Sequence, residues 1–484
     1  MRRSLPALAA CTFSCTLALA VPTAARAADN VPPEGFTALF NGTDLAGWYG
    51  WGTRDPAELR AMSAEQRAEY KRTSIEGGLL DAKGADKREH LLAHWRVENG
   101  ELVNDGQGLY ATTDRDYGDF EFFVDWKMLP LGDSGVYLRG IPQVQIWDYT
   151  EEKKFPLGAD KGSGGLWNNK GEEGKFPSKR MDRPFGEWNT FHIRMIGERV
   201  SVTFNGETVV DHAPLENFFA NRKAGYVAYG KPAKADDEGA KVANGFFPDP
   251  TPARGPIQLQ THGSEIRWKN VFVREIPAEE ANRILAARDA DGFVELVNGT
   301  DLTGWQGAVD SYEVRDGSIV CKPGKGGDLL TKDEYGDVII RTEFRLPVAG
   351  NNGIALRTPL GGHSAADGLE LQVIDSDGYN AKQAAAGQQG LAPYQYHGSL
   401  YHCVGAKHGF LRPAGEWNFQ EIAVRGQRIT VTLNGTKILD VDIDALDRSQ
   451  IQHPPKGLDR RTGHVGFAGH SDPVEYRSFK VKRL

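Results

Sequence analysis

One block of sequence occurs twice, and that repetition limits the chain to a narrow set of architectures. Gly35-Phe36-x-x-Leu39-x-Asn41-Gly42-Thr43-Asp44-Leu45-x-Gly47-Trp48 returns 257 residues later as Gly292-Phe293-x-x-Leu296-x-Asn298-Gly299-Thr300-Asp301-Leu302-x-Gly304-Trp305. Tyr117-Gly118-Asp119 returns as Tyr335-Gly336-Asp337, and Gly135-Val136-x-Leu138-Arg139 as Gly353-Ile354-x-Leu356-Arg357, both 218 residues on. Gly186-Glu187-Trp188-Asn189 and Asn205-Gly206 return 229 residues on, and His262 has its counterpart 208 residues on in His470. So many motifs in one order mark two diverged copies of a single domain. The drift in spacing locates the insertions: 39 extra residues in the first copy between Trp48 and Tyr117, 11 in the second before Gly415, and 21 in the first after Asn205-Gly206.

Between the motifs the apolar residues alternate with period two, as in Phe120 to Trp126 and Asp337 to Phe344. That is the pattern of strands with one buried face. Asn205-Gly206 and Asn434-Gly435 each separate two such runs, and Asn-Gly favours the hairpin turn whose twist suits antiparallel strands. The ten Trp and 57 Gly of the 484 residues fit short strands and tight turns. The fold class is therefore all-β, two sandwiches or jelly rolls in tandem. A short helical insertion interrupts the first over about 50–95. There Asp55 precedes Pro56 as a helix start, and Ser63-x-x-Gln66 fits a capping box. Glu279 to Ala290 has the pattern of a linker helix. The expected boundaries are 28–276 for the first domain, 277–291 for the linker and 292–484 for the second. Trp48, Trp188, Trp305 and Trp417 are expected in the cores.

The N-terminus has the features of an export signal: Arg2 and Arg3, an apolar stretch from Leu5 to Val21, and Ala25-Arg26-Ala27 as a cleavage site, giving residues 1–27 as a signal peptide. Leu8-Ala9-Ala10-Cys11 offers a lipoprotein alternative. Either places the protein in the periplasm or outside the cell. No other segment reaches the roughly 18 apolar residues of a membrane span. Removing residues 1–27 takes away three arginines and no acid, so the formal charge of −8 becomes −11. An acidic chain without a long basic run excludes nucleic acid as the expected partner, and Asp236 to Glu238 is expected in a solvated loop. Cys321 and Cys403 are the cysteines beyond the signal; they could pair in an oxidising compartment or stay as buried thiols.

The opening Gly-Phe to Gly-Trp block, the Gly-Glu-Trp-Asn block and the closing His/Gly segment together resemble the 3-keto-disaccharide hydrolase family, in both copies. The resemblance implies a concanavalin-like jelly roll and cleavage of glycosides already oxidised at C3, by hydrolysis or by β-elimination and hydration. It implies an oxidised glycoside as substrate and a sugar 3-oxidoreductase as functional partner. The same sandwich also serves carbohydrate-binding modules, so a non-catalytic binding pair is the alternative.

A 3-keto group acidifies the C2 proton. Chemistry there needs a base, a donor or metal for the enolate oxygen, and an acid for the leaving group. In the second copy Glu370 and Gln372 lie two apart on one strand and share a face. Glu370, His397 and His470 are the candidate catalytic residues, with Glu370 as base. Arg357, Gln372, Asp375 and Tyr401 are candidates for holding substrate. Aligned on Asp148 and Asp375, the first copy has Gln143 at the place of Glu370, Gln145 at that of Gln372 and Ser163 at that of His397. An amide cannot take a proton as a carboxylate can, so the main site is expected in the second copy. Arg139, Gln145, Trp147, Trp167 and His262 are the substrate-binding candidates of the first, the two tryptophans as a stacking wall. The acids and histidines suit Mn, Ca or Zn, but no run has ligand spacing, so a divalent metal is left open and no cofactor is assigned.

Overall fold

The computed structural model describes residues 29–81, 83–220 and 247–484. The signal segment 1–27 with Cys11, and Asp236 to Glu238, lie outside the described residues. Each copy folds as a jelly-roll sandwich of two antiparallel sheets, and the two copies match strand for strand. In the second, one sheet runs Tyr312–Arg315, Ser318–Cys321, Glu475–Arg483, Val338–Arg345, Trp417–Arg425, Arg428–Leu433, Thr436–Asp442, with Val294–Glu295 added beside Glu475–Arg483. The opposing sheet runs Trp305–Gly307, Gly326–Tyr335, Gly463–His470, Asn351–Thr358, Leu369–Ile374. In the first, the opposing sheet runs Trp48–Trp51, Tyr110–Thr113, Gln258–Leu259, Asp133–Leu138, Ile141–Trp147 in the same relative order. Alternation decides which residues face inward. Leu369, Leu371 and Val373 join the core with Phe344, Ile422 and Phe467, so Glu370 and Gln372 face the other way.

The repeated motifs are largely structural. The Asn41 side chain accepts from the backbone N–H of Thr43 (2.8 Å) and Asp44 (3.0 Å), and Asn298 does the same for Thr300 and Asp301 at the same two distances. This closes a turn that delivers a tryptophan to each core. Trp48 donates to Leu39 O at 2.8 Å and Trp305 to Leu296 O at 3.2 Å. Both rings are buried. Trp188 and Trp417 depart from the expected core placement. Trp188 lies half-buried under Lys127 and Lys269, and Trp417 under Arg345 and Arg477, with cation–ring distances of 4.4 to 4.8 Å. Their strand position puts them on the outer side of the large sheet, where a cation covers the ring. Cys321 and Cys403 are both free thiols.

The 39-residue insertion holds helices Pro56–Arg60, Ala64–Glu76 and Leu91–His94. Asp55 accepts from Ala57 N, and Ser63 with Gln66 forms the capping box. These helices roof one end of the first domain's smaller sheet, with Tyr49, Trp51 and Leu59 buried between them.

Helix Ala278–Ala287 joins the domains and is clamped by both. Arg274 of the first domain takes Glu280 in a two-pronged ion pair (2.7 and 2.8 Å), and Arg477 of the second takes Glu279 (2.7 and 3.0 Å). Ile196, Ile276, Ala281, Leu285 and Phe419 form one apolar cluster from all three parts. Beside it, Glu198 is buried and accepts from Lys437 N at 3.2 Å, and burial raises its pKa. Among the described residues no helix is long and apolar enough to cross a membrane.

Truncating a fully buried leucine costs about 2–5 kcal/mol. Leu285 serves contacts between domains, so Leu285→Ala should move the two domain transitions apart in calorimetry. An unchanged thermogram would show that the helix does not couple them.

Candidate active site

The outward face of the second domain's smaller sheet collects its polar residues at one end. Ala355 pairs with Glu370 and Gly353 with Gln372 on one side and with Ala468 on the other. Glu370 lies folded across Gly353: a Cβ there would meet Glu370 Oε1 at 2.5 Å. This close approach is what the glycine allows. The carboxylate is 1% exposed, and His470 Nε2 stands 3.2 Å from Oε1 with the imidazole 36% exposed. The carboxylate therefore sits behind the ring, and the ring faces solvent. Hydrogen bonding to Glu370, supported by the charges of Asp328 and Asp472, raises the pKa of His470 against the effect of burial.

A second carboxylate closes the other side. The Ser364 hydroxyl lies 3.1 Å from Asp328 Oδ1 and 3.4 Å from Glu370 Oε2, and Ser364 N donates to Asp328 Oδ2 at 2.7 Å. Burial raises the pKa of Asp328. Gln372 donates to Asn351 Oδ1 at 2.6 Å, and its side-chain oxygen Oε1 is buried without a partner among the described residues. Tyr401 N donates to Glu370 O at 2.9 Å, which brings an aromatic rim beside the carboxylate strand. The Tyr401 ring lies 5.9 Å from Tyr394 and 4.2 Å from His402, and His402 lies 5.7 Å from His453. Burial and the neighbouring His453 lower the pKa of His402.

Three candidates lie elsewhere. His397 points into the core: it stacks on Phe344 at 5.2 Å and its Nε2 is 2.9 Å from Gln420 Oε1. Burial pushes its pKa down to about 4. The loop returns beside Glu370, but this ring takes the inward side. Arg357 is 2% exposed and is spent on Gln427 Oε1, Arg460 O and Gly426 O. Its φ of 50° turns it off the strand toward the neighbouring hairpin, away from the outward face. Asp375 caps helix Ser376–Ala385 and accepts from Ala349 N at 2.8 Å, a structural use of the carboxylate.

The first domain keeps the frame with other groups. Arg139 is locked like Arg357, onto Gly118 O, Pro252 O and Asp119, so it too does not face a substrate. Gln143 donates to Gln145, and Gln145 donates to Asp133 Oδ1 at 2.9 Å. Asp133 Oδ2 takes His262 Nδ1 at 3.2 Å and Lys154 Nζ at 3.1 Å. Trp147 and Trp167 meet edge to face at 5.8 Å, Trp147 buried and Trp167 half-buried. Tyr137 and Tyr110, joined through Thr53 at 2.8 and 3.0 Å, fill the end of the face that Asp328 and Ser364 occupy in the second domain.

Asp133, Lys154, Asp328, Asn351, Ser364 and His402 are polar residues of these faces that the sequence did not single out. A signal existed for Asp133: it precedes Gly135 by two, so it shares a face with that motif residue. Among the described residues no three His, Cys, Asp or Glu side chains converge as a metal site.

A family model for the 3-keto-alpha-glucoside-1,2-lyase-like domain matches the chain twice, over residues 35–274 and 292–482. A 3-keto-disaccharide hydrolase of Bacteroides thetaiotaomicron is 23% identical over 270 residues, 48% of this chain and 91% of that protein. Two crystal structures of candidate glycosyl hydrolases from Parabacteroides distasonis are also similar. One has 27% identity and a TM-score of 0.37 over 40% of this chain and 95% of that one. The other has 23% identity and a TM-score of 0.34 over 40% and 99%.

The inward placement of His397 has a measurable consequence. Its folded pKa of about 4 lies below the roughly 6.5 of an unfolded histidine. Between those values the unfolded chain binds a proton that the folded chain refuses, so this group's stabilisation is present above about pH 6.5 and is lost as pH falls toward 4. In His397→Gln, whose amide can still donate to Gln420, the urea midpoint should fall less across that window than in the wild type. Equal slopes would mean that the ring is not held neutral in the core.

Proposed function

The chain belongs, in both of its domains, to the 3-keto-alpha-glucoside-1,2-lyase-like family, and on that premise we propose that the second domain cleaves 3-keto-glycosides with His470 as its proton-transfer group. The observation that carries this reading is the order of burial in the His470–Glu370 pair. The imidazole faces out at 36% exposure, and the carboxylate is shut behind it at 1%. Glu370 is thus the positioning residue and His470 the catalytic one, which revises the sequence-level choice of Glu370 as base. A carboxylate that holds one ring nitrogen fixes the orientation of the imidazole and stabilises its charged form. A raised histidine pKa also suits a base working near neutrality.

The reaction follows from the keto group. His470, neutral, takes the C2 proton. The electron pair passes to the C3 oxygen and then returns to form the C1–C2 double bond as the C1–O bond breaks. The imidazolium gives its proton to the departing oxygen. Addition of water across the new double bond completes hydrolysis; release before that step is the lyase outcome. Tyr401, Tyr394 and His402 form the rim against which a sugar ring would rest, and Gln372 lies on the same sheet face two residues along the strand from Glu370. The proposal extends to the chain's setting: export by the N-terminal signal, and a sugar 3-oxidoreductase that supplies the oxidised substrate.

The test is incubation of the purified full chain with a 3-keto-disaccharide, with added divalent metal and with chelator, reading products by mass. The metal arm decides whether the enolate oxygen is held by a cation. Loss of a positioned acid–base group costs about 10²–10⁴ in rate, so His470→Gln should lower kcat by that range. Glu370→Gln should lower kcat and also move the acid limb of the kcat/KM profile to lower pH, because the carboxylate that raises the His470 pKa is gone. An acid limb that stays in place would rule out Glu370 as the group that positions and charges His470.

A further inference from the structure

A cavity of about 240 Å³ lies on the other side of the second domain from His470, between the linking helix and the outer face of the larger sheet. Ala286, Ala290, Phe293 and Phe419 are its apolar walls, and Arg341 and Lys480 line it from the sheet. Its origin is visible when the two copies are compared. On this face of the first domain Phe272, Phe123 and His192 are cross-strand neighbours. The repeat puts Lys480, Arg341 and Glu421 at the same three places of the second. In the first domain rings fill the space: His192 stacks on Phe123 at 4.1 Å, and Phe36 meets Phe123 edge to face at 5.3 Å. In the second, Phe293 stands where Phe36 does, but a guanidinium lies under it at 4.4 Å in place of a ring. Two linear charged chains have replaced two phenyl groups, and the volume they leave is the cavity.

The charges around it do not balance locally. Arg341 and Lys480 are directly opposite each other in the register, where like charges repel. Arg341 is met by Glu421 Oε2 at 2.7 Å and donates to Arg288 O at the end of the helix. Lys480, half-buried, has no ion pair or hydrogen bond among the described residues. The carboxylates of the lining are engaged elsewhere. Glu295 accepts from Val297 N (3.1 Å), Phe479 N (2.8 Å) and the Ser478 hydroxyl (2.6 Å), and Glu343 is held by Arg477 and Asn282. An ammonium partly removed from water gains most from an anionic acceptor, and the phenyl and methyl walls gain from an apolar body. The volume is below the roughly 300–1,000 Å³ of drug-sized sites, so the occupant is small.

We propose that this cavity binds a small organic carboxylate, with its anionic group on Lys480 and Arg341 and its apolar body against Phe293 and Phe419. None of these residues lies on the sheet face that carries His470, so the site is separate from the proposed catalytic one. Its walls come from both the linking helix and the second domain, and the ligand would bridge them.

The test is calorimetric titration of the full wild-type chain with sodium benzoate. Two controls divide the proposal: benzylamine has the same ring with the opposite charge, and inorganic phosphate has negative charge without the ring. Saturable binding of benzoate is expected, with both controls weaker by about tenfold or more. Lys480→Met keeps the length of the side chain and removes its charge, and should weaken benzoate by about tenfold or more, the scale of one charge-assisted hydrogen bond. Lys480→Arg should retain the affinity. Lys480→Phe, which copies Phe272 of the first domain, should close the cavity and abolish binding. The proposal is overturned if benzoate does not bind, if benzylamine or phosphate binds as tightly, or if Lys480→Met leaves the affinity unchanged, which would put the benzoate elsewhere on the chain.

Discussion

A carboxylate taken almost wholly out of water must be met by donors, and the second domain's outer sheet face is organised around that requirement. Glu370 is removed from solvent by lying across Gly353. Leaving such a group unpaired would cost several kcal/mol. His470 supplies a charge-assisted partner and Ser364 a hydroxyl, and through Ser364 the carboxylate meets Asp328. What emerges at the surface is not the acid but the imidazole it holds. The chemistry available to the site is therefore set by a group whose own exposure is small.

The same logic explains the contrast between domains. Asp133 is also largely covered, and it is met by three donors, from His262, Lys154 and Gln145. The helical insertion places Thr53 over Tyr110 and Tyr137 and closes the end of the sheet that the second domain leaves to Asp328 and Ser364. One frame has thus been fitted with two charge arrangements, and each satisfies the desolvation of one acid.

The fold was legible in the sequence because its signals are local. Period-two runs, Asn-Gly turns and the Asn41 and Asn298 turns are made by residues near one another in the chain, and their repetition removes coincidence. The equivalence of Gln143 with Glu370 was legible too, since alignment on Asp148 and Asp375 gives the register the strands adopt. The side a loop residue takes was not legible. His397 and Tyr401 lie four apart on one returning segment, yet one ring enters the core and the other joins the rim. Arg357 and Arg139 end strands, where alternation would turn them to a face, but both adopt positive φ and turn aside onto carbonyls. Trp188 and Trp417 are large and apolar, and nothing local in the chain marks the lysine or arginine that covers them. Asp328 and Ser364 lie 36 residues apart and meet only through the fold.

The linking helix presents adjacent glutamates, Glu279 and Glu280, to arginines of opposite domains. With the apolar cluster beneath it, this makes the junction a rigid spacer instead of a flexible tether. For a flexible tether, the effective concentration of one face near the other would follow the statistics of its length. In this chain it is a fixed property of the molecule. Whatever groups the two faces hold are therefore kept at the one spacing that the clamped helix imposes.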